Sequence, residues 1–322
     1  MSRPDDDIGD DAGDDLDADH DAGASRRLAQ RAIGEFARLD ARPLPGGLYI
    51  VGTPIGNLAD ITLRALHVLA HADVIYCEDT RTSARLLQHY AIRARTLPFH
   101  EHNEDAERGR VIERLESGQR VALISDAGTP LIADPGFKLV RACAQKGFSV
   151  VAIPGPCALV AALCASGLPT DQFTFAGFLP PRQAARRARL SELKGITGTL
   201  VFYEAPQRAA QCLSDLAEVL GARQGVVARE LTKLHEEIAR GLLAELAATF
   251  AAREVKGEIV LVAGPAEAAA ASDEDIAARL KVALASMRLK DAAAAVADAL
   301  GVSKSRVYDI GLKVKDGDGE DG

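Results

Sequence analysis

Short apolar runs alternate with amphipathic segments along most of the chain, from Gly47 to Gly264. The apolar runs are rich in β-branched residues and several are bounded by glycine or proline, which is typical of buried strands. The segments between them repeat apolar residues at helical spacing. The first runs read "GLYIVG", "VIYCED", "RVALIS" and "FSVVAIPG". Strands separated by helices predict an α/β fold with a mostly parallel sheet covered by helices on both faces.

The same alternation continues through two cycles. The first helix, "DITLRALHVLAHAD", is predicted to begin with Asp60 as its N-cap, because a carboxylate there accepts hydrogen bonds from the first backbone N–H groups. A second cycle starts near Thr174 with "TFAGF" and ends with the strand "GEIVLVAG". We therefore predict two α/β lobes, residues 45–168 and 169–265, with their boundary within 165–174.

A helical segment is predicted after the second lobe. Residues 266–275, "AEAAAASDED", have the composition of a linker, and residues 276–315 contain three short helical patterns. The last two patterns, "LKDAAAAVADALG" and "SKSRVYDIGLKVK", are joined at Gly301 and Val302, the arrangement of a helix-turn-helix.

The net charge of −8 is unevenly distributed. Residues 1–21 hold ten aspartates against Arg3 alone, and "DGDGEDG" at 316–322 is also acidic, so residues 22–315 carry a net charge of +5. Blocks of like charge with few apolar residues cannot offset the entropy lost on ordering. We expect a disordered acidic N-terminal tail over 1–44, a second tail over 316–322, and a mildly basic body between them.

Composition narrows the class of protein further. No stretch approaches 18 uninterrupted apolar residues, and aspartates stand where a signal peptide would need basic and apolar residues. The five cysteines are odd in number and form no C-x-x-C pair, which favours reduced thiols over disulfides or a metal. A cytoplasmic enzyme or binding protein is the expectation.

Three sharp turns follow three strands of the first lobe: "VGTPIGN" at 51–57, "SDAGTP" at 125–130 and "IPGPCA" at 153–158. Glycine permits close approach of the backbone to a ligand, and proline fixes the loop. Three such turns at one sheet edge predict a ligand crevice. The turn after the first strand, "GTPIGN", lacks the lysine of a phosphate-binding G-x-x-x-x-G-K-[ST] loop, and no G-x-G-x-x-G opens a helix after that strand. Backbone groups and the single carboxylate of Asp126 suit a neutral or cationic ligand; an adenosine with a sulfonium fits, although these residues alone do not select it.

Longer motifs carry a family resemblance. They read "GLYIVGTPIGNLADITLRAL", "EDTRTSARLL", "SDAGTPLIADPG", "IPGPCALVAALCASGLP", "FLPPR", "FYEAPQR" and "RELTKLHEE". Together they resemble the ribosomal RNA small-subunit methyltransferase I family, a branch of the tetrapyrrole methylase fold. The resemblance runs from about 47 to 264, and the C-terminal helices resemble the small domain of that family. Ala59 departs from the glycine expected in that turn, and the acidic head and tail lie outside the resemblance.

The resemblance implies a two-lobed fold, with one parallel-sheet lobe and one mixed-sheet lobe, and a small C-terminal helical domain. It also implies a homodimer, S-adenosylmethionine in the cleft between the lobes, and 2′-O-methylation of a cytidine in the 16S rRNA of the small ribosomal subunit. Carried over by motif, the cofactor contacts fall on Gly52, Thr53, Pro54, Asp126, Ala127, Gly128, Thr129, Ile132, Ala133, Pro154 and Gly155.

Methyl transfer to a ribose hydroxyl needs a base that removes a proton of low acidity. The candidates for this base or for lining the acceptor site are Glu78, Asp79 and His100, with Glu101, His102 and Glu204 as further possibilities. Each also has a structural interpretation: Glu78 and Asp79 as caps of the next helix, the histidines as surface loop residues, and Glu204 as a partner of Arg208. His100 and His102 lack a third ligand at helical spacing, so no metal site is predicted.

RNA binding requires positive charge, and "PPRQAARRARLSELK" offers a basic helix. The predicted RNA-binding residues are Arg182, Arg186, Arg187, Arg189, Lys304 and Arg306, with Arg64, Arg81, Arg85 and Lys233 as further candidates. The alternative is a solvated helix face. Aromatic residues make up only 4% of the chain, which argues against base stacking as the main mode of recognition.

Two other functions are compatible with the same motifs. One is methylation of a small tetrapyrrole, which would need an acceptor pocket and no basic rim. The other is a non-catalytic ribosome-binding or cofactor-binding protein that has kept the fold. The basic segment and appended helices argue against the first, and the intact loops at 52, 126 and 154 argue against the second.

Overall fold

The computed structural model describes residues 14–266 and 272–317. The chain divides into two compact units: the first runs to Ala165 and takes in Arg229–Glu237, and the second comprises Ser166–Ala228 and the chain from Ile238 onward. The chain first passes from one unit to the other between Ala165 and Ser166, within the boundary predicted at 165–174. The return of Arg229–Glu237 to the first unit was not predicted.

The first unit contains a five-stranded sheet flanked by helices. Its strands are β1 (Gly47–Val51), β2 (Val74–Cys77), β3 (Thr96–Pro98), β4 (Arg120–Ile124) and β5 (Val150–Ile153), and its helices are α1 (Asp14–Asp40), α2 (Leu63–His71), α3 (Thr80–His89), α4 (Glu104–Glu116), α5 (Phe137–Gln145) and α6 (Ala158–Ser166). The strand order is β3-β2-β4-β1-β5, and every adjacent pair is parallel. The loops that follow β1, β4 and β5 therefore leave the same edge of the sheet from three adjacent strands.

Both faces of this sheet are buried. Tyr49 and Ile75 belong to one apolar cluster, whereas their chain neighbours Leu48 and Tyr76 belong to another. Successive strand residues point to opposite faces, so continuous apolar runs such as "VIYC" supply both clusters. This double burial is what the apolar runs of the sequence predict for a parallel sheet.

The second unit contains a mixed sheet. Its strands are β6 (Phe173–Phe178), β7 (Thr199–Glu204), β8 (Gln224–Arg229), β9 (Glu237–Leu242) and β10 (Ile259–Ala263), and its flanking helices are α7 (Gln183–Leu193), α8 (Ala209–Leu220) and α9 (Leu243–Ala251). The order is β6-β7-β10-β8-β9, with β6 parallel and β10 antiparallel to β7. A parallel-sheet lobe and a mixed-sheet lobe confirm the predicted fold class.

Three further helices close the described chain, as predicted: α10 (Asp273–Leu284), α11 (Leu289–Leu300) and α12 (Lys304–Gly317). They pack around an apolar cluster of their own that includes Ile276, Leu280 and Val307. Gly301 ends α11 in the left-handed conformation with φ 63°, the usual role of glycine at a helix C-terminus. The predicted turn between the last two helices is therefore present. The predicted linker ends earlier than expected, because α10 already begins at Asp273.

The N-terminal segment differs from its prediction. Helix α1 occupies Asp14–Asp40, where we predicted a disordered tail over 1–44. The acidic composition of the first 21 residues dominated that prediction, but residues 24–40 are rich in alanine, arginine and leucine, which have high helix propensity. Residues 1–13 and 318–322 lie outside the described chain, and so does most of the predicted C-terminal tail.

The start of α2 is also corrected. Its N-cap is Thr62, whose hydroxyl accepts a hydrogen bond from the Ala65 N–H at 3.1 Å. Asp60, the predicted cap, lies in a separate 3-10 turn that Asn57 caps. Either residue type suits an N-cap, so composition alone did not decide between positions two residues apart. Among the described helices, none is both long enough and apolar enough to cross a membrane.

Candidate cofactor and acceptor site

The three glycine- and proline-rich loops are joined to one another by hydrogen bonds. Thr53 and Gly128 exchange two backbone hydrogen bonds, with N···O distances of 2.8 and 3.0 Å. The Thr129 hydroxyl donates to the Pro156 carbonyl at 3.0 Å, which ties the loop after β4 to the loop after β5. The structure therefore brings the predicted cofactor loops together at the carboxyl edge of the parallel sheet.

Glycine is required where two of these loops touch. A Cβ atom added to Gly155 would lie 3.0 Å from the Cα of Gly52, and one added to Gly52 would lie 2.9 Å from the Cα of Gly155. Both contacts are to backbone, which cannot rotate away. These two glycines allow the loops after β1 and β5 to meet without side chains between them.

Gly128 is also required by the backbone geometry of its own loop. It adopts φ +84°, a conformation that favours glycine, and an added Cβ would lie 3.3 Å from the Ile55 side chain. The sequence suggested that glycine here leaves room for a ligand. The structure adds a reason within the protein itself, since Gly128 adopts this conformation where it pairs with Thr53.

The loop after β4 also holds two non-glycine residues in the left-handed region. Leu131 has φ 71° and Ala133 has φ 67°. Each such residue costs about 1–2 kcal/mol, and these conformations concentrate at ligand sites and switch regions. The strained residues lie on either side of Ile132, within the segment that the family resemblance assigns to the cofactor.

Asp79 acts as a helix cap. Its carboxylate accepts from the Arg81 backbone N–H at 2.8 Å and pairs with the Arg81 guanidinium, and these hydrogen bonds lower its pKa to about 2. Its own N–H donates to the Asp126 carboxylate at 3.0 Å. A carboxylate with so low a pKa is a poor proton acceptor near neutral pH. The structure therefore favours the capping interpretation of Asp79 over its predicted role as a base.

Glu78 lies at a small pocket together with a residue that sequence reasoning missed. The lining of this pocket comprises Glu78, Phe99, Leu123, Ile124, Ser125, Pro130, Asp134 and Pro135. Desolvation and the charge of Glu78 raise the pKa of Asp134 to about 6. Desolvation and the charge of Asp126 also raise the pKa of Glu78, whereas His100 acts in the opposite direction. Two carboxyl groups thus share a partly apolar pocket beside the predicted cofactor loops.

His100 faces the same group of charges. Its backbone N–H donates to the Asn103 side chain at 2.8 Å, and its Nδ1 is buried without a hydrogen-bond partner among the described residues. The ring of His102 lies near, with 6.0 Å between centroids. The charge of His100 acts on Glu78, and both belong to the first unit. Glu204 belongs to the second unit, where it is buried and paired with Arg208 through an Nε–Oε1 distance of 2.7 Å.

The prediction that all the arginines of helix α7 face RNA is wrong for Arg186. Arg186 is fully buried, and its Nε donates to Asp215 at 2.7 Å. Burial alone would raise the pKa of Asp215, but hydrogen bonds from Arg187, Gln183 and Arg186 lower it below its ordinary value. The sequence carried a signal for this burial, because Arg186 precedes the buried Leu190 and Leu193 by four and seven residues on α7. Arg186 is a structural residue and cannot contact RNA.

The other predicted RNA-binding residues remain at the surface, most of them in ion pairs. Arg187 bridges Asp215 and Glu218, Arg189 pairs with Glu192, and Arg182 is exposed just before α7. Near the start of α12, Arg306 pairs with Asp273 at 2.7 Å and Lys304 lies 3.8 Å from Asp298. Exposed ion pairs are weak, so Arg189, Lys304 and Arg306 can exchange partners for phosphates. Arg187 differs, because one of its two partners is the buried Asp215.

Comparison with known proteins identifies two domains. The family model for Tetrapyrrole (Corrin/Porphyrin) Methylases matches residues 47–247, and the model for the RsmI C-terminal HTH domain matches residues 270–315. Among solved structures, cobalt precorrin-4 methyltransferase aligns with a TM-score of 0.53 and 19% identity, over 67% of this chain and 94% of its own. Diphthine synthase aligns with a TM-score of 0.54 and 16% identity, over 67% of this chain and 89% of its own. At this identity the likeness concerns the fold.

Close relatives cover nearly the whole length of the chain. A protein from Mesorhizobium japonicum named "Ribosomal RNA small subunit methyltransferase I" is 50% identical over 284 residues, which is 88% of this chain and 97% of the relative. Proteins of the same name from Vibrio cholerae and Escherichia coli O157:H7 are 47% and 46% identical. They cover 85% and 83% of this chain and 98% and 95% of their own lengths.

Proposed function

This chain belongs to the ribosomal RNA small subunit methyltransferase I family, and on that premise we propose that it methylates the 2′-oxygen of a cytidine in 16S rRNA. It is an S-adenosylmethionine-dependent rRNA methyltransferase. One observation supports the proposed 2′-O-methylation most strongly. The hydrogen-bonded loops proposed to hold the cofactor lie in the same unit as the pocket lined by Glu78 and Asp134. We also propose that the protein acts as a homodimer in the cytoplasm on the small ribosomal subunit.

The three loops would hold the cofactor through backbone groups. Gly52 and Gly155 let two loops meet, and Thr53, Gly128 and Thr129 fix their spacing by hydrogen bonds. The remaining proposed contacts lie in the same loops: Pro54, Asp126, Ala127, Ile132, Ala133 and Pro154. The cofactor supplies a methyl group already activated on a sulfonium. The protein then has to align the attacking oxygen with that carbon and exclude water, and positioning of this kind accounts for a large part of the acceleration of a bimolecular transfer.

The proton of the ribose hydroxyl must still be removed. We assign this role to the pocket of Glu78 and Asp134, with Asp134 as the proton acceptor, because its pKa of about 6 leaves it ionised yet basic near neutral pH. Glu78 raises that pKa by its charge. His100, whose Nδ1 is buried without a described hydrogen-bond partner and whose charge acts on Glu78, is proposed to line the acceptor site.

RNA recognition is proposed to rest on cations that remain at the surface. Arg186 is excluded because it is buried. The remaining candidates are Arg182, Arg187, Arg189, Lys304 and Arg306. Phosphate contacts from such residues position the RNA without reading its sequence. The choice of cytidine then depends on contacts at the acceptor site.

The experiment is a map of ribose methylation in rRNA from cells that lack this chain. One cytidine of 16S rRNA should lose its 2′-O-methyl group and regain it when the intact gene is returned. Return of a variant with Gly155→Ala in the cofactor loop should restore less of the modification. Unchanged ribose methylation throughout the small-subunit RNA would overturn the proposed substrate.

A further inference from the structure

Three potential metal ligands converge where α1 ends against α2, and no part of the proposed methylation chemistry uses them. Asp40 is the last residue of α1, and His67 and His71 lie one turn apart on α2. Their ligand atoms all fall within 4.8 Å of one another. Asp40 precedes the start of the methylase family match at residue 47, so this cluster joins an N-terminal segment to the family domain.

The hydrogen bonds fix which nitrogen of His71 faces the cluster. Its Nδ1 lies 2.8 Å from the backbone carbonyl oxygen of His67, which only accepts, so Nδ1 carries the proton and donates. Its Nε2 faces the Asp40 carboxylate, 3.1 Å away, and in the neutral ring this nitrogen offers a lone pair to a metal ion. A histidine that donates one N–H to a backbone carbonyl and offers its other nitrogen to a cluster is the usual arrangement of a metal ligand.

His67 provides the second, independent observation. Its side chain is 7% exposed, and its Nδ1 is buried without a hydrogen-bond partner among the described residues, 3.7 Å from the same carboxylate oxygen. A proton on His71 Nε2 would pair that nitrogen with Asp40 and leave His67 Nδ1 without a partner. A metal ion would bind both nitrogens and the Asp40 carboxylate.

We propose that Asp40, His67 and His71 bind a divalent transition-metal ion of the zinc class. Zinc bonds of about 2.0–2.2 Å in a tetrahedron place neighbouring ligand atoms about 3.4 Å apart. The distances from Asp40 Oδ1 to the two imidazole nitrogens, 3.1 and 3.7 Å, lie on either side of that value, and the two nitrogens lie within 4.8 Å of each other, so binding would draw the rings together. Two imidazoles and a carboxylate suit this class of metal, with water as the fourth ligand.

The position of the site indicates a structural role. Helix α2 starts just after the cofactor loop that follows β1 and runs back along the sheet, so its last turn with His71 lies toward the opposite edge. The metal would tie the end of α1 to α2 without taking part in methyl transfer. Because the ion binds only the folded arrangement, it would raise the stability of the chain.

The test is calorimetric titration of Zn²⁺ into the full chain, purified without a histidine tag and stripped with a chelator. We expect one ion per chain, with affinity reduced at least tenfold in both Asp40→Asn and His71→Gln. The matched control is His89→Gln, which also removes an imidazole from the last turn of a helix and should bind as the parent does. Asp40 is half exposed, so its isosteric change leaves the fold intact.

A second measurement separates this site from adventitious binding. Added Zn²⁺ should raise the melting temperature of the parent and of His89→Gln, but not that of Asp40→Asn. Parent protein that binds Zn²⁺ no tighter than Asp40→Asn would overturn the proposal. Equal affinity in His71→Gln would do so as well, since Nε2 of that ring is one of the three ligand atoms.

Discussion

Asp134 and Asp79 are both aspartates at the carboxyl edge of the first sheet, yet their surroundings shift their pKa values in opposite directions. Desolvation and the charge of Glu78 raise the pKa of Asp134 to about 6, whereas hydrogen bonds from Arg81 lower that of Asp79 to about 2. Paired carboxyls with divergent pKa values usually have divergent roles. Here one is suited to accept a proton and the other to cap a helix.

A proton-accepting Asp134 predicts a specific pH dependence. The group must be ionised to act, and its raised pKa means that it gains a proton as the pH falls through about 6. Methylation under single-turnover conditions should therefore decline below that pH. Asp134→Asn should lower the rate by about 10²–10⁴ and remove this acidic limb, with cofactor affinity retained. The exposed Asp171→Asn is the control, and an active Asp134→Asn with an unchanged pH profile would eliminate Asp134 as the base.

Arg186 shows how one residue can be misread from sequence. Its position in an arginine-rich segment predicted RNA contact, but its side chain is buried against Asp215. Removing one partner of a buried ion pair costs up to about 3–5 kcal/mol, and we expect about 3 kcal/mol here because Gln183 and Arg187 still hydrogen bond to Asp215. Arg186→Gln should therefore lower the free energy of unfolding by that amount in denaturant titrations. The exposed Arg189→Gln should change it by less than about 0.5 kcal/mol, and equal effects of the two changes would contradict the buried pair.

At the scale of elements, long periodic segments were predictable and short or polar ones were not. The apolar strands β1, β2, β4 and β10 follow directly from their runs. Strand β3 has only three residues and ends in Pro98, and β9, "EIARGL", alternates with charged residues, so neither carries an apolar run. Helix α1 was missed because its acidic beginning hid the helix-forming residues that follow. The contact among the three loops was predictable because glycine and proline mark them at one sheet edge. Asp134 lies within the motif "SDAGTPLIADPG", where no pattern distinguishes it.

The contact between the loops after β1 and β5 gives a prediction for those elements. Gly155→Ala should cost about 1–3 kcal/mol of stability, because its Cβ would meet the Gly52 backbone at 3.0 Å. It should also weaken S-adenosylmethionine binding, since the loops must move apart. Gly109→Ala is the matched control. Gly109 lies within α4, and no atom lies within 4 Å of the added Cβ. Because alanine favours the helix more than glycine does, this change should stabilise the protein by up to about 1 kcal/mol. Calorimetry showing full cofactor affinity in a folded Gly155→Ala would remove this contact from the site.

At the scale of the whole molecule, charge is separated along the chain. Residues 22–315 carry a net charge of +5, although the acidic segments at the two ends make the whole chain negative. Lys304 and Arg306, near the start of α12, are among the cations of the C-terminal helices. Changing Lys304 and Arg306 together to Glu should weaken RNA binding and reduce the slope of log affinity against log salt by about 0.7–0.9 per lost phosphate contact. Lys146→Glu, an exposed lysine at the end of α5, is the control. A slope unchanged in the double variant would exclude α12 from the RNA surface.

The central claim is that this chain places a methyl group on a ribose oxygen of small-subunit RNA. The most direct measurement incubates the purified protein with labelled S-adenosylmethionine and small ribosomal subunits from cells lacking this chain, then locates the label by nuclease digestion and mass spectrometry. We predict about one methyl group per subunit, carried on the 2′-oxygen of a single cytidine and absent with Asp134→Asn. Label on a base, or transfer to a tetrapyrrole with none to the RNA, would contradict the account.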